Sequence, residues 1–353
     1  MKPMIKIILG NTLNCCMNAV IDEIGKNDHK KGRHVVIIPD AHALTAEKII
    51  FERLGINGSM NIEAASFTRF ARKVLGDKIG HTLSKQGAVL YFKKTINKVQ
   101  DRLVHYQKVA KTDGFAGEMY AVIASVRNNG ITIKDFEEAL LKLSGTTLEK
   151  AKDVLLLYKE YLATLQGFTD SITRLEAFMK ECASSPKVND AYFYLYDFDS
   201  LSQKQIEIIA TLAKYSKGVT IGLPHNVVRG NKSLYPNEIF TRLTDHLTKC
   251  KLEYEVDNNH FEVVKEPFQT LHDNLFSLTD ARVRNDGSVV VFKEVNGYEQ
   301  YNAIAREIVR LVRREKLRYK DIAVIDCQER APIDFQAILT RYNVPHFMDE
   351  RFH

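Results

Sequence analysis

The chain has 353 residues, 45% of them hydrophobic and 27% charged, with a formal net charge of +6 and a pI near 8.8. That is the balance of a globular protein with material for two or three domains, and it excludes collagen-like and disordered chains. No apolar run approaches the ~18 residues of a bilayer span, and the opening MKPMIKIILG lacks the pattern of a secretory signal.

The pattern opens as strand, loop and helix. Residues 5–9 form a short apolar run, Gly10 and Asn11 mark a turn, and Met17, Val20, Ile21 and Ile24 give a helical face stopped at Gly25. A buried strand is expected at 35–38, closed by Pro39, then a helix over 43–54, a strand over 62–66 and a helix over 67–75. This alternation is that of an α/β sheet in parallel order. From about 84 to 182 the chain reads as almost wholly helical. Val89, Phe92, Ile96, Val99, Leu103, Tyr106 and Ala110 predict one long amphipathic helix, and two further stripes follow, Phe115 to Val126 and Leu148 to Leu165.

Alternation resumes at Asp190. Strands are predicted in AYFYLYDF, at 219–223, 252–256, 288–294, 322–326 and 344–348, with helices over 203–215, 236–249, 298–314 and 332–342. Seven Lys/Arg stand against three Glu within 299–320, a concentration able to meet phosphates or simply to coat a solvated helix. The chain stops directly after its last expected strand, as a piece of something longer would. The five cysteines (Cys15, Cys16, Cys182, Cys250, Cys327) are odd in number and lack CxxC spacing, which points away from disulfides and zinc and toward a cytoplasmic location.

The first strand–loop–helix is the place of a phosphate-binding loop, which needs glycines for close backbone approach, a Lys for phosphate charge and a Ser/Thr for magnesium. Here LGNTLNCCMN keeps Gly10, while Leu13 and Cys15 replace glycines, Cys16 replaces the Lys and Met17 the hydroxyl. Nucleotide binding is expected to be poor, and an ordinary βα turn fits as well. Asp197, after the aromatic strand, stands where a magnesium carboxylate would, or is a strand-end turn residue. Phe198 occupies the place of a water-orienting Glu. His42 and His225 have no Cys or His at ligand spacing, and Ser200, Ser202 and Asp199 form no nucleophile elbow. No catalytic residue and no metal site is read.

VVIIPDAHALTAEK (35–48), SFTRFARKVLG (66–76), YLYDFDSLSQKQIEII (194–209) and KDIAVIDCQERAPIDFQAILTRYNVPHFMDER (320–351) together resemble, in order and spacing, the AddB/RexB family, the B subunits of bacterial AddAB-type helicase–nucleases. GFAGEMYAVIASVRNNGI (114–131) extends the resemblance through the helical stretch. The resemblance implies an α/β, RecA-like P-loop lobe (1A) over 1–80 and 185–280, an all-helical 1B insertion over 81–184, and the beginning of a second RecA-like lobe (2A) over 281–353. It implies an ATPase-inactive, helicase-like region that binds and scans single-stranded DNA in double-strand-break repair, partnered by an AddA-like motor subunit, with no membrane contact. The family's nuclease carboxylates and iron–sulfur cysteines would lie beyond residue 353, leaving no cofactor within this stretch. Phe67 and Arg69 match family positions that hold the strand, Phe67 by stacking unless it is core. Arg72 falls where the family has an aromatic, and Ala41 and Ala43 where it has polar residues, so strand holding by Arg69, Arg72 and His42 is expected with degraded base reading. A working NTPase with a divergent loop, and a scaffold that only docks the motor, are the rival expectations.

Overall fold

The computed structural model describes residues 5–347 apart from 28–29, 113, 166, 226–237, 263–264, 276–281, 283, 285 and 327–332. Cys327, Pro236, Pro332 and Met348 lie outside the described residues. The chain divides into two compact units, Met1–Val264 with His272–Asp280, and Lys265–Leu271 with Ala281–His353.

In the first unit, apolar runs alternate with helices: β1 (Ile5–Gly10), α1 (Leu13–Lys26), β2 (Arg33–Ile37), α2 (Ala43–Leu54), β3 (Ile62–Ala65) and α3 (Phe67–Leu75). A helical excursion follows, entered by β4 (His81–Thr82), made of α4 (Lys85–Val99), α5 (Phe115–Asn128), α6 (Ile133–Leu140) and α7 (Gly145–Thr164), and left by β5 (Phe168–Thr169). Then come α8 (Ser171–Glu181), α9 (Pro186–Asn189), β6 (Ala191–Leu195), α10 (Gln203–Tyr215), β7 (Gly218–Pro224), α11 (Glu238–Lys249) and β8 (Tyr254–His260). Six strands form one sheet in the order β3-β2-β6-β7-β1-β8, every pair parallel.

Both faces of that sheet are covered along its inner strands, which is why β1, β2, β6 and β7 are apolar at successive positions rather than at every second one, while the edge strand β8 is exposed. Ile5, Ile7, Val35, Ile37, Phe193, Leu195, Val219 and Ile221 face α3, α8, α10 and α11, whereas Ile8, Val36, Ile38, Tyr194 and Tyr196 face α1 and α2. At Gly222 a Cβ would stand 2.7 Å from Val20 Cγ2 and 3.1 Å from the Cys16 carbonyl, so only glycine lets α1 lie this close to β7.

The helical excursion has its own core of Phe92, Ile96, Tyr120, Ile123, Leu157 and Tyr161. Its entrance and exit run side by side, His81 opposite Phe168 and Thr82 opposite Thr169. The long helix expected across 89–110 ends at Val99, although Leu103 and Ala110 remain in the same core. The buried carboxylate of Asp153 on α7 accepts the backbone N–H groups of Val104, His105 and Tyr106 at 2.9–3.0 Å, which holds that segment in a turn. Glycine at 25 does not stop α1 either. The helix continues to an Asn27 cap, and a Cβ at Gly25 would stand 3.5 Å from the Leu54 side chain of α2.

After α12 (Phe268–Asn274), the second unit packs α13 (Gly297–Arg314) on α14 (Ile333–Arg341) through stacked Tyr301 and Phe335, with Ala305, Ile308 and Leu339 around them. The strands expected at 288–294 and 322–326 do not form among the described residues, and Val291 is 87% and Ile325 88% exposed. A strand is defined by its ladder partner, and the described part of this unit offers none. Two of the seven cations in 299–320 are compensated by ion pairs: Arg310 holds Glu307 and Glu315, and Arg318 holds Asp321.

Candidate nucleic-acid interface

In open α/β sheets ligands meet the carboxyl ends of the strands. Here the ends of β2, β3 and β6 carry a polar cluster whose members are far apart in sequence. Asp197, just past β6, has φ 68, a left-handed backbone that a non-glycine residue adopts at a cost. That turn aims its carboxylate at His42 in the loop after β2, whose Nδ1–H donates to it. Asp40 of the same loop pairs with Arg69 Nε at 3.5 Å and lies 3.5 Å from the Thr68 hydroxyl. Ser66 caps α3 by accepting the Arg69 N–H at 3.3 Å, fixing the start of that helix on the rim.

The sequence-predicted residues fall into two groups. His42 and Arg69 are exposed side by side with their acidic partners, and Arg72, one turn further along α3, is exposed with no hydrogen bond or ion pair among the described residues. Phe67 belongs to the core: it is 5% exposed and its ring lies 5.7 Å from that of Phe198. The ring therefore braces the rim from below and is not offered to a base. Asp40 carries no motif signal of its own, since only the fold brings it to Arg69. The side chains of Ala41 and Ala43 lie outside the described residues.

At the other end of the sheet the loop after β1 is filled by its own side chains. A Cβ at Gly10 would stand 2.3 Å from Cys15 Sγ and 2.9 Å from Cys16 Sγ, the volume where a phosphate loop leaves space for an anion. Thr12 caps α1 by accepting the Cys15 N–H at 3.1 Å, and its hydroxyl donates to the Glu262 carboxylate at 2.9 Å. The Asn11 side chain forms a reciprocal pair with the Glu262 backbone, both bonds 2.8 Å. Cys15 Sγ donates to the His260 carbonyl at 3.2 Å. Burial, with the neighbouring Cys15, pushes the Cys16 thiol up to about 12, so it is uncharged at neutral pH. These residues do not fit a triphosphate: the position of the cation holds a neutral thiol, and the helix N-terminus faces a carboxylate. The described partner of Asp197 is His42, and Phe198 is buried. Among the described residues no three His, Cys, Asp or Glu side chains converge to hold a metal ion, and no helix is long and apolar enough to cross a membrane.

The family described as ADDB, N-terminal matches residues 9–277, more than half of the chain. The B subunit of an ATP-dependent helicase/deoxyribonuclease from Staphylococcus saprophyticus is 25% identical over 346 residues, covering 94% of this chain and 30% of that protein. The protein of the same name from Bacillus cereus (strain B4264) is 25% identical over 362 residues, covering 95% of this chain and 31% of its own length. That of Staphylococcus aureus (strain Newman) is 25% identical over 327 residues, with 90% and 28% covered. The chain thus spans about 30% of the length of the curated relatives it matches.

Proposed function

We propose, because the chain belongs to the AddB N-terminal family, that it is the strand-holding, helicase-like part of the B subunit of an ATP-dependent helicase/deoxyribonuclease, and that it grips single-stranded DNA without turning over ATP. The family match carries this reading. On it, 1–80 and 185–280 correspond to a RecA-like lobe 1A, 81–184 to its helical 1B branch, except that α8 packs on the sheet of the lobe, and 281–353 to the start of lobe 2A. A parallel sheet covered on both faces, with a separate helical core inserted after β3, supports that assignment.

The strand would lie along the rim made by His42, Arg69 and Arg72. Arg69 exchanges Asp40 for a backbone phosphate, and Arg72 meets the next one. With Phe67 turned inward, recognition rests on charge rather than stacking, so sequence discrimination is weak. The thiol-filled loop supports the absence of turnover, and work on the duplex would come from an AddA-like motor subunit.

Anisotropy of a fluorescent oligo(dT) with the purified chain tests this. The two rim arginines give a log–log salt slope of about −1.4, or roughly a sevenfold loss of affinity between about 50 and 200 mM salt. Arg69→Ala and Arg72→Ala each weaken binding. Salt-insensitive or absent binding refutes the strand-holding reading, and ATP turnover abolished by Asp197→Ala refutes the inactive loop.

A further inference from the structure

Arg174, in the first turn of α8, is a guanidinium without a carboxylate. It is 8% exposed, its Nε is sealed from solvent with no acceptor, and its side chain makes no hydrogen bond or ion pair among the described residues. Buried arginines are as a rule paired, because an uncompensated internal cation is costly. The acid that acts on it, Asp170, is already committed, accepting Arg127 at 2.5 Å, the Tyr161 hydroxyl at 3.1 Å and the Thr173 N–H at 2.8 Å. Glu176, further along α8, serves Arg127 and Lys204. The charge that acts on Arg174 from α3 is a second cation, Arg72. Helices α3 and α8 pack directly, Phe70 edge-on to Phe178 at 5.8 Å, and Arg72 stands on α3 within electrostatic reach of Arg174. Burial first, and the Arg72 charge second, push Arg174 below its ordinary value, with Asp170 opposing.

Two like charges held together, one buried and lacking an acceptor, are an arrangement that an anion completes. We propose that Arg72 and Arg174 form a two-guanidinium site for a phosphate oxyanion, carried by the backbone of a single strand or by a free phosphate compound. This deepens the strand-holding reading, on which the choice of the backbone as source rests. Helices α3 and α8 cover the face of the sheet opposite α1, so this is not the nucleotide position of the first βα turn. Arg69 and Arg72 share one face of α3, three residues apart, and the site extends that row onto α8. The anion first meets the outer Nη edge of Arg174, and the guanidinium turns to bring Nε into the shared bond.

The test uses the whole chain. The Nε–Hε signal of Arg174, shielded from solvent and assigned from an Arg174→Lys spectrum, is followed by NMR while oligo(dT) or inorganic pyrophosphate is added. It is expected to shift along the same isotherm as anisotropy. Arg174→Gln should reduce oligo(dT) affinity about tenfold and lower the salt slope by about 0.7, with Arg174→Lys restoring most of that slope. A signal that stays put at saturation, together with an unchanged slope in Arg174→Gln, overturns the site while leaving the strand-holding reading intact. A chain that ignores oligo(dT) but whose Arg174 signal follows pyrophosphate keeps the site, assigns it to free phosphate and rejects the strand. Should Arg174→Gln not fold, the wild-type titration decides alone.

Discussion

The placement of α8, and with it Arg174, depends on one internal ion pair. Arg127 on α5 and Asp170 at the cap of α8 are 4% and 1% exposed and meet at 2.5 Å, with Arg127 also donating to Thr173 at 2.9 Å. Arg127→Met strands a buried carboxylate and should cost about 3–5 kcal/mol. Asp170→Asn keeps a capping side chain but strands the guanidinium, at a similar cost. Because each single change pays for the same broken contact, the double variant should lose about 2–3 kcal/mol less than the sum. Burial raises the Asp170 carboxyl, but the Arg127 charge and the Thr173 hydrogen bonds outweigh it, and the net shift is downward. A carboxyl lowered on folding contributes stability that is complete above its unfolded value near 3.9 and is lost as pH falls through its folded value. Arg127→Met should therefore flatten the acid limb of stability. Urea unfolding followed by far-UV circular dichroism, with hydrogen exchange on α5 and α8, reads all of this in a protein without tryptophan. A loss under about 1 kcal/mol for Arg127→Met, or strict additivity in the cycle, would refute the reasoning.

Asp153→Ala leaves three backbone amides without their acceptor; it should cost about 2–4 kcal/mol and speed hydrogen exchange at 104–106 before the sheet loosens. Gly222→Ala forces α1 away from β7 and should destabilise by about 1–3 kcal/mol in the same urea assay. In native-state alkylation at mildly alkaline pH, mapped peptide by peptide, exposed Cys250 should react before Cys16 and Cys182, both buried and pushed up to about 12. Fast labelling of Cys16 would mean that the loop after β1 opens.

Local patterns were legible where burial and helix periodicity agree. The helices Ala43–Leu54, Phe67–Leu75 and Gln203–Tyr215 have the bounds their sequences predict, and β1, β2, β6 and β7 are recognisable from their apolar runs, whereas the polar edge strand β8 runs over Tyr254–His260 instead of 252–256. Departures occur where a distant side chain overrules a local signal. Asp153 ends a helix about 50 residues earlier in the chain, and Leu54 turns Gly25 from a stop into a contact. The candidate rim was legible in part. His42 and Arg69 stand on loops and caps that motifs can find, yet their partners Asp197 and Asp40 are neighbours only after strands pair. Phe67 reads equally as a stacking ring or as core, because periodicity cannot say which face of a short helix is sealed. Arg174 is invisible to pattern for the opposite reason: a charged letter in an amphipathic helix implies solvent, and here it is enclosed.

The two-residue ladder joining His81–Thr82 to Phe168–Thr169 makes the helical branch a graft. Its stem leaves and rejoins the trunk at one point, so the branch can lengthen or shrink without rerouting any crossover of the main sheet, provided α5 keeps Arg127 on Asp170. The entropy of closing such a loop grows only logarithmically with its length, about 0.6 kcal/mol per doubling. The size of the outgrowth is therefore free to follow whatever it touches, while the trunk keeps its wiring.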